Sequence, residues 1–108
     1  MELPKRIQIG GQTIEVTQPK DIEGGKLGKV CLGNGLMKIA QTFDGMEQSE
    51  TSKRNTFWHE VVHGILDTMG RSDLSGDEPF VCCFSSFLTE CINSFDWTDE
   101  HGAPVPHP

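Results

Sequence analysis

Apolar and polar positions alternate twice near the start of the chain. Arg6-Ile7-Gln8-Ile9 and Gln12-Thr13-Ile14-Glu15-Val16 change sides residue by residue, with Gly10-Gly11 between them. A period of two marks a half-buried strand, and a Gly-Gly loop supplies the positive φ angles of a tight hairpin. Pro19 ends the second strand, and a glycine-bearing loop follows. A second hairpin is then predicted: Lys29-Val30-Cys31-Leu32, a Gly33-Asn34-Gly35 turn, and Leu36-Met37-Lys38-Ile39-Ala40. From about Ser49 the period lengthens. Phe57, Trp58, Val61, Val62, Ile65, Leu66 and Met69 recur every three or four residues, which predicts an amphipathic helix with this stripe in the core. Gly70 is the expected C-cap, and Arg71 suits the negative end of the helix dipole. Another helix is expected from about Asp77, where an acid cap and Pro79 in the first turn favour a start. Phe80, Val81, Phe84, Phe87, Leu88, Cys91, Ile92 and Phe95 then repeat at helical spacing. Strands followed by two helices predict an α+β domain, in which a small antiparallel or mixed sheet of two hairpins packs against both helices. Residues 1–98 form this single domain, and 99–108 are expected to be a flexible tail.

Composition agrees with a globular chain of 108 residues. Charge adds more. Residues 1–58 carry eight basic and seven acidic side chains, a net of +1, whereas residues 59–108 carry only Arg71 against nine acids, a net of −8. An acidic chain is repelled by phosphate backbones and anionic lipid, which argues against direct nucleic-acid or membrane-surface binding. No apolar run approaches the ~18 residues of a membrane span, and the first residues hold no apolar signal core. Cys31, Cys82, Cys83 and Cys91 lack C-x-x-C spacing. They are expected to be reduced thiols in a cytoplasm, most of them small buried hydrophobes.

The chemistry concentrates in His59-Glu60-Val61-Val62-His63, an H-E-x-x-H pattern within the first helix. Positions four apart lie one above the other, so both imidazoles can reach one metal ion, and Glu60 can take a proton from a metal-acidified water. An extended motif would need Gly at position 66 and His at position 69, and Leu66 and Met69 exclude it. Asp67 lies too far along the axis to share the ion with His59, and is expected at most to orient an imidazole. A third ligand must come from an element that folds back. Glu78 is the leading candidate, with Asp77 and then Asp73 behind it. Capping is the competing role for this segment, since Ser75-Gly76-Asp77-Glu78 fits a capping box. Cys82 and Cys83 are possible ligands whose helical position points to the core, and His101 and His107 are expected to be tail residues.

The run Thr56-Phe57-Trp58-His59-Glu60-Val61-Val62-His63-Gly64-Ile65-Leu66, followed by Asp77-Glu78-Pro79-Phe80-Val81, resembles small gluzincin-type metallopeptidases. It is similar to the minimal ImmA/IrrE-like zincins of phages and mobile elements, over most of residues 5–95. The resemblance implies a zincin-like fold and a Zn²⁺ ion held by His59, His63 and Glu78, with Glu60 as general base and acid. It implies hydrolysis of a peptide bond in a specific cytoplasmic protein, with Leu36–Ala40 as the edge strand that pairs with an extended substrate. The chain has no tyrosine, so a tetrahedral oxyanion would need His101, His107, a lysine, an arginine, backbone amides or the metal itself to stabilise it. Two other readings compete. One is a catalytically weak or inactive zincin-fold module that binds or regulates a protein; the other is a regulator whose acidic surface mimics nucleic acid.

Overall fold

The computed structural model describes residues 3–106. The first hairpin forms as predicted, from β1 (Arg6–Ile9) and β2 (Gln12–Thr17) in antiparallel register with Ile7 opposite Ile14. Gly10 and Gly11 have φ of +60° and +81°, the left-handed pair that a two-residue loop requires. The second hairpin, β3 (Gly28–Cys31) and β4 (Leu36–Ile39), turns through a single 3-10 turn at Leu32–Asn34. The hairpins join because β2 runs parallel to β4, Val16 opposite Met37, giving one mixed sheet in the order β1-β2-β4-β3. A separate ribbon, β5 (Thr42–Phe43) with β6 (Met46–Glu47), has no counterpart in the sequence prediction.

This order corrects one expectation. Leu36–Ala40 is not an edge: β4 is bonded on both sides, by β2 and β3. The reason is visible in its side chains, since Met37, Ile39 and Ala40 are fully buried. A strand this apolar is stable only inside a sheet. The edges are β1 and β3.

α1 (Glu50–Thr68) crosses the sheet. Ser49 caps it by accepting a hydrogen bond from Ser52 N at 3.0 Å. Its end is a left-handed Gly70 at φ +77°, with Arg71 N bonded back to Leu66 O. Phe57 and Val61 of α1 close the main core over Leu3, Ile9, Ile14, Met37 and Ile39. Gly64 makes the close approach possible, because a Cβ there would meet Ile9 Cδ1 at 2.9 Å. The predicted stripe is only partly inside. Ile65 and Met69 face solvent, as the sheet is too narrow to cover the flank of the last turns.

A short α2 (Ser72–Ser75) turns the chain into α3 (Glu78–Asn93), capped by the Asp77 carboxylate accepting from Phe80 N at 3.2 Å. α3 is seated on α1 by Val81, Ser85 and Thr89, with Val62, Leu66 and Val81 forming a second small core. Phe80 and Leu88 pack partly against this core, but small Ser85 and Thr89 fill the rest of the interface, and Phe84 and Phe87 point outward. The four cysteines are free thiols, but the expectation that most are buried fails: Cys82, Cys83 and Cys91 are exposed and Cys31 is half-buried. Beyond α3, Asp99 Oδ1 accepts from His101 N and Ala103 N, which folds residues 98–104 into a turn. His107 lies outside the described residues. Among the described residues no helix is long and apolar enough to cross a membrane.

Candidate metal centre

α1 presents His59 and His63 one turn apart, as their spacing requires, and α3 brings Glu78 across to them. The Nε2 atoms of the two imidazoles are 3.2 Å apart. Glu78 reaches both, with Oε1 at 3.2 Å from His63 Nε2 and Oε2 at 3.5 Å from His59 Nε2. The three donor groups foreseen in the sequence therefore converge on one point. Asp77 is occupied as the α3 cap, and Asp73 is held by Arg71 through two bonds of 3.1 and 2.9 Å. The α3 start explains the outcome: with Asp77 as cap, Glu78 becomes the first helical residue and faces α1.

The other ring nitrogens are supported from behind. His63 Nδ1 is 3.0 Å from Ser75 Oγ, and His59 Nδ1 is 3.9 Å from Cys82 Sγ. With the Nδ1 proton directed to the buried Ser75 hydroxyl, the lone pair of His63 Nε2 faces Glu78 and His59. Ser75 thus takes the orienting role expected of Asp67, which is exposed on the far turn of α1. Sequence reading missed both supports. Ser75 has no periodic signal, because α2 is only one turn long. Cys82 had one, since it follows Glu78 by four residues and so shares its helix face. His59, Glu78 and Cys82 together form a group that could hold a metal ion, one donor atom of each lying within 4.8 Å of the others.

Glu60 lies beside this cluster under β3 and is only 7% exposed. Gly28 explains how a strand can lie so close: a Cβ there would meet Thr56 Cγ2 at 2.6 Å and Glu60 Cγ at 3.0 Å. Burial pushes the Glu60 carboxyl up to about 7, and the Glu78 charge adds to this. His63, the Val30 backbone and Lys26 pull the other way. Burial, with His63 adding to it, holds the His59 imidazole below its usual range, so it stays neutral near pH 7 as a metal ligand must.

These residues open onto a cleft of about 600 Å³ between α1, α3 and the β3 edge. Lys26, Lys29 and Asn55 stand among its walls, while His101 is exposed beside Glu100 and takes no part. No family model matches the chain, and no curated protein or solved structure matches it either.

Proposed function

We propose that the protein is a zinc-dependent metallopeptidase of the zincin type that hydrolyses peptide bonds in a cytoplasmic protein. One observation carries this reading. Donors bound to zinc at about 2.0–2.1 Å in tetrahedral array stand about 3.3–3.4 Å from one another. The separations among His59 Nε2, His63 Nε2 and the Glu78 oxygens are 3.2, 3.2 and 3.5 Å. Two neutral nitrogens and one carboxylate are the donor set of a catalytic rather than a closed structural site. A zinc ion held there supplies a Lewis acid for the scissile carbonyl and lowers the pKa of water.

The chain's own groups do the rest. Glu60, buried and with a pKa near neutrality, accepts a proton from the attacking water and returns it to the leaving amine. Lys26, Lys29 and Asn55 on the cleft wall are donors available for charge growing on the carbonyl oxygen, in a chain without tyrosine. An extended substrate pairs with the outer edge of β3, which borders the cleft, and not with β4. Gly28 keeps that edge close to Glu60.

The test combines metal analysis with cleavage of a peptide library. Wild type is expected to hold one zinc per chain and to cut. Glu60→Gln should keep the zinc and lose turnover by at least ~10³-fold, a general base being worth about 10²–10⁴. Glu78→Ala should lose the zinc. A wild type without stoichiometric zinc sinks the proposal. A second reading, a zinc-stapled binding module without turnover, is favoured by the small size of the second core of Val62, Leu66 and Val81, which a metal clip would reinforce; it predicts that Glu60→Gln changes nothing.

A further inference from the structure

The side of α3 turned away from the cleft is its most apolar surface. On α3, Phe80, Phe84, Phe87 and Cys91 follow one another at steps of three and four, and Phe95 comes just past the helix end. At about 100° per residue this stripe lies opposite Cys82 and Ser86, which line the cleft. Phe84 is 51% exposed, Phe87 67% and Phe95 49%. The stripe is ordered, with Phe84 against Phe80 at 5.8 Å between ring centres and Phe95 edge-on to Trp97 at 5.6 Å. Helix burial normally works the other way, with large apolar groups inside and serine and threonine outside. Phe80 is half-buried against Val62, Leu66 and Val81, but Phe84, Phe87 and Phe95 stay exposed, and aromatic groups left together in water mark a binding surface.

Charge decides what fits it. Residues 72–108 contain seven carboxylates and no lysine or arginine. Glu90 on α3 and Asp96, Asp99 and Glu100 just beyond it are exposed. Among the described residues none of the four pairs with a lysine or arginine. A second copy would set two such uncompensated segments against each other, and nucleic acid or an anionic membrane meets the same repulsion. A cationic partner is the complement. Its apolar side chains must also recur every three or four residues to interdigitate with the row, which a helix does.

We propose that the outer face of α3 docks an amphipathic helical segment of another protein, apolar on its seated side and edged with lysine or arginine. Phe84 and Phe87 are the anchors, and Glu90 with Asp96, Asp99 and Glu100 provide the charge rim. The site is separate from the metal centre and stands whether or not the protein is a peptidase. It also gives a role to the acidic surplus that the metal centre does not use.

The probe is a labelled synthetic amphipathic helix of leucine and lysine, titrated with the full chain by fluorescence anisotropy. Wild type should bind it, more weakly as salt rises. Phe84→Ser with Phe87→Ser should weaken binding by about tenfold or more, as loss of interface anchors does. Glu90→Lys, which removes no apolar contact, should weaken it severalfold. Glu60→Gln should bind as wild type, which separates this surface from the peptidase reading. Circular dichroism checks that each variant is folded. Equal binding of a scrambled leucine–lysine peptide, or of a leucine–glutamate helix, overturns the proposal. So does unchanged affinity in both surface variants. A wild-type dimer in sedimentation that the double serine variant dissolves would assign the face to a second copy. Phe-dependent binding to phosphatidylglycerol vesicles would assign it to a membrane. Either result overturns the cationic partner.

Discussion

α1 and α3 carry similar apolar periods but use them oppositely. α1 buries Phe57, Val61, Val62 and Leu66 and turns its histidines toward the cleft, whereas α3 buries Val81, Ser85 and Thr89 and leaves Phe84 and Phe87 in water. One helix is held by area, the other by close approach of small side chains. The difference teaches that a hydrophobic period identifies a helix without saying what covers its stripe. A sheet behind α1 covers most of its stripe; behind α3 lies another helix, and Phe84 and Phe87 on its outer side stay exposed.

The largest break in that contrast is at Phe57, 3% exposed in the main core. Phe57→Ala should lower unfolding free energy by about 3–5 kcal/mol in denaturant melts, whereas Phe87→Ala should stay within about 0.5 kcal/mol of wild type. Equal losses at the two positions would show that α3 is packed outward as well.

A second difference is electrostatic, since α1 buries a carboxyl. In the chelator-treated protein the folded state keeps the Glu60 proton up to about pH 7, whereas the unfolded chain releases it near 4.5. Folding therefore takes up a proton in that window, so this group's contribution to stability declines as pH rises from 4.5 to about 7 and is level above. His59, held low, works in the reverse direction below pH 6.5. The wild-type profile minus that of Glu60→Gln isolates the first effect, expected on the order of 2–3 kcal/mol across the window. Parallel profiles would refute it.

The small-residue contact can be overfilled. Ser85→Leu should cost about 1–3 kcal/mol by pushing α3 from α1, and under the proposed function should weaken metal retention in parallel because Glu78 moves with α3. Stability lost with zinc affinity intact would separate packing from the metal cluster. The smallest effect expected is at the α3 cap. Asp77→Ala should cost about 1 kcal/mol in thermal melts, with Glu78 still able to reach the imidazoles.

Both hairpins, both long helices and the caps at Asp77 and Gly70 were legible because each depends on local chemistry: alternation, paired glycines, an acid before a proline, a glycine past the last periodic residue. The strand order was not. Nothing local tells that β2 will pair with β4, and the expectation that Leu36–Ala40 lies at an edge failed on that non-local choice. His59, Glu60 and His63 could be read from spacing on one helix. Glu78 could be proposed only from its place at a helix start, since its approach to α1 depends on the turn through α2. Ser75 was invisible because a one-turn helix has no period. The exposure of three cysteines followed from the same unforeseen seating of α3 on Ser85 and Thr89.

The pairing of β2 with β4 has a consequence during synthesis. In a chain emerging from the ribosome β1 and β2 come first, and the β2 edge stays unpaired until Leu36–Ile39 follow. β3 is made before β4 yet finishes outside it. The His59–His63–Glu78 cluster closes later still, because the two histidines emerge well ahead of Glu78. A nascent chain that stops short of α3 displays two imidazoles on a helix but lacks the carboxylate that joins them.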